Sequence, residues 1–91
     1  MSISMVEVEP LAQEIRVTND ELIVSLIDGR TISVPLVWFP RLLHATAEQR
    51  SHFEILGDGE GMHWPDIDED VSVAGLLRGI RAPRSKSQSA A

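Results

Sequence analysis

Residues 21–35 read ELIVSLIDGRTISVP, and this stretch predicts the β-hairpin around which the rest of the fold is built. Apolar and β-branched residues alternate with other types along residues 21–27 and again along residues 30–35, as in strands with one buried face. Asp28-Gly29 lies between the two runs. Glycine tolerates the positive φ that a two-residue primed turn requires, so this dipeptide is a strong signal for the hairpin turn.

The segment before the hairpin predicts a further strand over residues 11–17, with Ile15 and Val17 on one face. Residues 18–20 (TND) form a turn cluster between this strand and the hairpin. Residues 1–10 are expected to be a flexible or edge-strand N-terminus.

Two short helices are predicted after the hairpin. Pro40 suits the first turn of a helix, and apolar residues follow at the helical spacing of positions 39, 42 and 43. Thr46 and Gln49 are spaced as in a capping box, in which each side chain bonds a backbone N–H of the other. A second helix over about residues 47–52 is therefore expected.

A second, shorter hairpin is predicted from residues 53–56 and residues 61–64, which a glycine-rich loop connects. Residues 65–70 are then expected to form an acidic turn. Ser72 suits the N-cap of a last short helix that runs through Leu77.

The elements together predict an α+β fold, in which a small antiparallel β-sheet, with its hairpin around Asp28-Gly29, packs against two to three short helices. A chain of 91 residues is long enough for one modest core. We expect a single α+β domain at residues 11–78. Residues 79–91 hold too little apolar surface to order themselves, and a disordered basic tail is predicted there.

The net charge of −6 is unevenly distributed. Residues 1–77 contain all 14 acidic residues and four basic ones, a formal charge of −10. Residues 78–91 contain four basic residues and no acidic one, and these residues are candidates for contact with nucleic acid: Arg78, Arg81, Arg84 and Lys86. The acidic body repels phosphate backbones and attracts basic protein surfaces.

The composition also excludes several classes of protein. Without cysteine the chain forms no disulfide, thiolate zinc site or cysteine nucleophile, which suits a reducing cytoplasm. The first residues lack the pattern of a secretory signal, and no run approaches the ~20 apolar residues of a membrane-spanning helix. A cytoplasmic location and no membrane partner are expected.

The densest polar cluster lies within residues 62–70. Asp66, Asp68 and Asp70 have the spacing that opens a calcium loop, which makes them weak candidates for metal binding. The later part of that pattern fails, because Val71 and Leu77 stand where the loop glycine and the bidentate acid are expected. No cofactor is predicted.

Two further interpretations of this cluster stay open. Trp64 is either the aromatic anchor of a partner-binding surface with an acidic rim, or a core residue beside Ile67 with acids that satisfy turn N–H groups. Arg41 and Arg50, on the two short helices, are expected to form salt bridges with the acidic body or to bind a partner carboxylate. The candidates for partner binding are Trp38, Arg41, Arg50, His63, Trp64, Asp66, Asp68 and Asp70.

No arrangement of residues predicts catalysis. His44 and His52 are eight positions apart rather than at the i, i+4 spacing of a helical zinc pair. No serine or threonine lies in a recognisable nucleophile motif. We therefore expect that the protein is not an enzyme.

Three runs of sequence resemble a bacterial family called domain of unknown function 2442. They are PLVWFPRLL at residues 35–43, ATAEQR at residues 45–50 and GMHWPDIDEDVSV at residues 61–73, and the resemblance covers about residues 12–79. It implies a small α+β domain with an antiparallel sheet and gives no catalytic residues to transfer. Genes of this family often lie beside genes of another small family, domain of unknown function 4160, in suspected toxin–antitoxin pairs.

These observations favour a non-catalytic protein-binding module, with an antitoxin-like role against a small basic protein encoded nearby. One alternative is a DNA-associated transcriptional regulator that uses the basic C-terminal tail. Another is a small metal-dependent enzyme centred on His63 and the acidic cluster. A homodimer formed through exposed hairpin edges is compatible with each of them.

Overall fold

The predicted hairpin forms the centre of the first of two three-stranded antiparallel sheets, in a computed structural model that describes residues 10–80. This first sheet contains β1 (Ala12–Val17), β2 (Glu21–Leu26) and β3 (Thr31–Pro35), in the order β1-β2-β3. Its inward side chains come from alternate positions, and Leu22 and Val24 of the central strand are completely buried. The alternation in the sequence therefore gives the sheet its core face.

The turn between β2 and β3 differs from the two-residue primed turn that the dipeptide predicts. Leu26 N–H donates to the Arg30 carbonyl at 2.7 Å, so the loop contains the three residues between them. Gly29 has φ +100°, whereas Asp28 is not among the residues with positive φ. A primed type I turn needs positive φ at both central residues, and a three-residue loop with glycine at its end needs it only once.

The two short helices are confirmed close to the predicted positions. A 3-10 turn (Leu36–Trp38) leads into α1 (Pro40–Leu43), which starts at its proline, and α2 (Ala47–Ser51) follows. The capping box of α2 forms as expected: Gln49 N–H donates to Thr46 Oγ1 at 3.0 Å, and Thr46 N–H donates to Gln49 Oε1 at 2.9 Å.

The second sheet contains β4 (Glu54–Leu56), β5 (Gly61–Trp64) and β6 (Glu69–Ser72), in the order β4-β5-β6. The pairing of β4 with β5 confirms the second predicted hairpin. The expected acidic turn is shorter than residues 65–70, because its last two residues belong to the third strand, β6. Glu69 is the first residue of that strand and is buried, whereas a residue of an acidic turn is expected to be exposed.

The last helix, α3 (Val73–Arg78), begins at the predicted cap: Gly75 N–H donates to Ser72 Oγ at 2.9 Å. It ends at Gly79, whose left-handed φ of +77° is typical of a glycine after a helix. None of the helices within residues 10–80 has the length and apolar content to cross a membrane.

Both sheets and the helices contribute to one hydrophobic core, which confirms the α+β fold. The core residues with no exposed surface include Leu22, Val24, Leu42, Met62 and Trp64. Residues 1–9 and 81–91 lie outside the described part of the chain. The predictions of a flexible or edge-strand N-terminus and of a disordered basic tail fall almost entirely on them.

Candidate functional site

The outer face of the second sheet carries a row of titratable side chains. Glu54 of β4, His63 of β5 and Asp70 of β6 lie opposite one another in the strand register and therefore project to the same side. His63 Nδ1 and Asp70 Oδ1 are 2.5 Å apart, and the Asp70 side chain is 72% exposed. This side of the sheet, called the open face below, presents carboxylates to solvent.

Trp64 lies on the opposite side of the same sheet, in the core. Its side chain has no exposed surface, its indole Nε1–H donates to the Arg50 carbonyl at 2.9 Å, and its ring lies 5.9 Å from that of Phe53. The structure thus gives Trp64 a structural role, and in this conformation its ring offers no surface to a partner.

The three aspartates of the calcium-like spacing are separated by the turn and the strand that contain them. Asp66 is 2.9 Å from His52 Nδ1, and Asp70 contacts His63. Asp68 stands between them with a positive φ of +52°. Within residues 10–80, no group of three or more histidine, aspartate or glutamate residues could hold a metal ion. The weak metal candidates therefore do not converge on one site.

Arg41 closes the turn that contains Asp68. Its Nη1 donates to the Asp68 carbonyl oxygen, although α1 and the turn are 27 positions apart. The adjacent residue Glu69 is only 7% exposed, and burial raises the pKa of its carboxyl, while the positive charge of Arg41 acts in the opposite direction. Arg41 thus stabilises both the backbone of the turn and the negative charge behind it.

Arg50 joins α1 to the first sheet through backbone oxygens. Its Nε donates to the Leu42 carbonyl at 3.0 Å and its Nη2 to the Leu43 carbonyl at 2.8 Å, at the end of α1. Its Nη1 donates to Asn19 Oδ1 at 3.1 Å. Carbonyls at a helix end lack the partner that interior carbonyls have within the helix. The Leu42 carbonyl also accepts from Ala45 N–H at 3.2 Å, and Arg50 adds a charged donor to it and to the Leu43 carbonyl.

Among the described residues, Arg41 and Arg50 form none of the salt bridges expected with the acidic body. In the described part of the chain, the carboxylates in ion pairs are Asp28 with Arg30, Asp66 with His52, and Asp70 with His63. The salt-bridge alternative is wrong for residues 10–80, because both arginines donate to carbonyl or amide oxygens instead. The other alternative, that these arginines bind a partner carboxylate, stays a prediction.

The remaining candidates are dispersed. Trp38 is half-buried and packs against the core. Arg78 is exposed in the last turn of α3. Arg81, Arg84 and Lys86 lie outside the described residues.

A groove of about 530 Å³ was not predicted from the sequence. It runs between β1 and α2, with Ile15, Val17 and Phe53 among its apolar lining residues and Arg16 and Arg50 among its polar ones. The sequence shows only that Arg16 stands between Ile15 and Val17 in the predicted first strand. The groove itself depends on how α2 packs beside β1, which the sequence alone does not show.

Comparisons with known proteins agree with the fold. A crystal structure of a protein of unknown function from Rhodospirillum rubrum ATCC 11170 is similar, with a TM-score of 0.72 and 36% identity over 84% of this chain and 94% of that one. A solution NMR structure of an uncharacterized protein from Chromobacterium violaceum has a TM-score of 0.67 and 26% identity, over 88% of this chain and 73% of that one. Among curated proteins, none matches the chain.

The sequence also matches the family described as "Protein of unknown function (DUF2442)" over residues 12–82. This range contains every described strand and helix, together with the three runs that first indicated the resemblance. The chain therefore belongs to the DUF2442 family.

Proposed function

We propose that this chain is a non-catalytic protein-binding module that binds a small basic protein in the bacterial cytoplasm. The observation that carries the proposal is that Arg41 and Arg50 donate to backbone oxygens rather than to carboxylates. Arg41 and Arg50 both bond carbonyl groups, and neither forms an ion pair within residues 10–80. The acidic charge of the domain is therefore not neutralised by direct pairing with these two cations.

The negative charge of residues 10–80 is large for a domain of this size. Residues 10–80 contain 12 acidic and five basic side chains. On the open face, Glu54 forms no ion pair with any cation of the described part of the chain, and Asp70 is paired with a histidine that is charged only when protonated. Carboxylates within about 8–10 Å of one another act as one negative patch at physiological ionic strength. Such a patch accelerates and orients the association of a basic protein.

An antitoxin-like role is the specific form of this proposal. An acidic module that covers the basic surface of a toxin needs no catalytic group. The resemblance to a family whose genes lie beside those of another small family suggests where the partner is encoded. Support for this role comes from charge and from family resemblance, so the partner itself must be found by experiment.

Co-expression of the tagged full chain with the small basic protein encoded by the neighbouring gene tests the proposal. We expect the two proteins to co-purify and the affinity of the complex to fall as salt concentration rises, because surface charges are screened. Replacement of the open-face acids, in the double variant Glu54→Lys and Asp70→Lys, is expected to weaken the complex.

Glu21→Lys provides the matched control for the single substitutions Glu54→Lys and Asp70→Lys. Glu21 is an exposed acid of the first sheet, and its replacement by lysine changes the net charge by the same amount as each of those substitutions. Equal weakening by the control and by either open-face substitution would show that only net charge matters. Recovery of the tagged chain without the partner would count against the protein-binding role.

Binding to DNA through the basic tail is the second candidate function. The observation in its favour is that residues 78–91 contain four basic residues and no acid. The test is a gel-shift titration of the full chain against the variant with alanine at Arg78, Arg81, Arg84 and Lys86, at two salt concentrations. A tail that contacts phosphates is expected to lose affinity steeply with salt, and the variant is expected to lose both the affinity and part of the salt dependence.

A further inference from the structure

The groove between β1 and α2 has the form of a site for an added β-strand. One wall is the outer edge of β1, which is an edge strand of the first sheet, and the other is formed by α2. Phe53, half-buried behind them, contributes apolar surface. A strand edge facing a helix across a groove is the arrangement in which proteins bind an extended peptide by strand addition.

The backbone of β1 offers hydrogen-bonding groups to this groove. Thr18 N–H bonds the Glu21 carbonyl within the sheet, while Ala12 N–H points outward to the Gly59 carbonyl. The β1–β2 register shifts between Ala12 and Glu14, so the alternation along the rest of β1 is counted from Thr18. Counted in this way, the N–H and C=O groups of Ile15 and Val17 point outward. No other backbone group of residues 10–80 bonds them there.

The side chains around the groove define the chemistry of its occupant. Ile15 and Val17 face the core side of β1, whereas Arg16 between them faces the other side. Within the described residues, the Arg16 guanidinium has neither a hydrogen bond nor an ion pair. An added strand that fits must therefore place apolar residues on one face and acidic residues on the other.

We propose that this groove binds residues 5–9 of a second copy of the chain. Residues 5–9 read MVEVE, so that Val6 and Val8 share one face of an extended strand and Glu7 and Glu9 share the other. The valines then pack beside the apolar lining and the glutamates lie beside Arg16. This pattern gives both the apolar and the charge complementarity that the groove requires.

The contacts of Leu11 and Ala12 favour binding of residues 5–9 to the groove of a second copy over binding to the groove of their own copy. Leu11 still pairs with β2, since its carbonyl accepts from Ile27 N–H at 3.0 Å. Ala12 N–H is occupied by Gly59, whose loop covers this end of the groove edge. Residues 5–9 would have to reverse direction around that loop to reach the β1 edge of their own copy. Mutual exchange between two copies gives a closed, symmetric dimer instead.

Sedimentation equilibrium of the full chain over a range of concentrations tests the proposal. We expect a dimer with twice the chain mass of 10.1 kDa. Arg16→Glu and the double variant Glu7→Lys with Glu9→Lys each replace attraction by repulsion, and each is expected to weaken dimerisation about tenfold or more. The combined triple variant restores opposite charges and is expected to recover most of the dimer.

Two further variants complete the design. Arg30→Glu is the control for charge, because Arg30 is an exposed arginine in the hairpin turn of the same sheet. Val6→Asp with Val8→Asp tests the apolar half and is expected to leave a monomer. A monomer at every concentration would overturn the proposal. So would a dimer that Arg16→Glu weakens no more than Arg30→Glu does, or one that the triple variant fails to restore.

Discussion

Replacement of Arg50 by methionine is expected to be the most damaging change to a partly exposed side chain in this domain. Methionine has a similar length but donates no hydrogen bond. The change removes the bonds of 3.0 Å and 2.8 Å to the Leu42 and Leu43 carbonyls and the bond of 3.1 Å to Asn19. The two carbonyls at the end of α1 are then left without these charged donors.

The expected loss follows from the number and the exposure of these bonds. A hydrogen bond to a charged group contributes about 1.5–3 kcal/mol when it is shielded from water, and less when it is exposed. The two bonds to α1 are part-buried, whereas the bond to Asn19 is exposed. We therefore expect Arg50→Met to lower the free energy of unfolding by about 2–4 kcal/mol, a large share of the stability of a small domain.

Urea unfolding followed by tryptophan fluorescence measures this loss. With a slope of about 1 kcal/mol per molar urea for a domain of this size, the midpoint is expected to fall by about 2 M or more. Arg50→Lys keeps the charge but lacks the planar fork, so its midpoint should lie between those of the methionine variant and the wild type. Arg30→Met removes an exposed ion pair and is expected to change little. The reasoning fails if Arg50→Met unfolds at the same urea concentration as Arg30→Met.

Three further predictions concern local structure. Thr46→Ala removes the capping box of α2 and is expected to cost about 1 kcal/mol in urea unfolding. Gly59→Ala would place a Cβ 2.7 Å from the Ala12 carbonyl oxygen at φ +117°, and we expect a loss of more than about 2 kcal/mol. Asp66 raises the pKa of His52 in the folded state above its ordinary 6.5, so the stabilisation is complete below about pH 6.5 and is lost as the pH rises through the folded pKa. The thermal midpoint is therefore expected to fall as the pH rises through the folded pKa of His52, and His52→Ala is expected to reduce that fall.

Each of these predictions has a matched control. Thr46→Ser retains a hydroxyl that caps α2, so it should remain near wild type. Gly29→Ala also strains a positive φ, +100°, but its Cβ would meet nothing within 4 Å, and a loss equal to that of Gly59→Ala would rule out the contact with Ala12 as the cause. His44→Ala removes an exposed histidine whose ring has no hydrogen bond within residues 10–80. The explanation for His52 is refuted if both histidine variants change the pH dependence equally.

Local signals predicted the elements whose geometry is set by neighbouring residues. The capping box of Thr46 and Gln49 and the cap at Ser72 depend on groups three positions apart, and both form. The two hairpins were also predictable, because a strand pair joined by a short loop needs only alternation and a glycine-containing connection.

The third strand of the second sheet was missed for a physical reason. In β6, the buried positions hold Glu69 and Val71, so a carboxylate stands where an apolar residue is expected. The positive charge of Arg41 opposes the rise in the pKa of Glu69 that burial causes, and this contact between α1 and β6 cannot be assigned from the sequence. The alternatives for Trp64 were open for the same reason, because the acceptor of its indole N–H is the carbonyl of a distant residue.

The two proposed surfaces are distinct but are both linked to one half-buried residue, Arg50. The Arg50 side chain lines the groove beside β1, and its carbonyl holds Trp64 in β5, the strand that also carries His63 on the open face. Variants of Arg50 therefore perturb both surfaces and cannot separate the two proposals. Arg16 and Glu54 are each exposed and each belong to one surface alone. Loss of the dimer with Arg16→Glu while the basic partner still binds, together with the converse result for Glu54→Lys, would establish that the domain uses its two sheets for two different interactions.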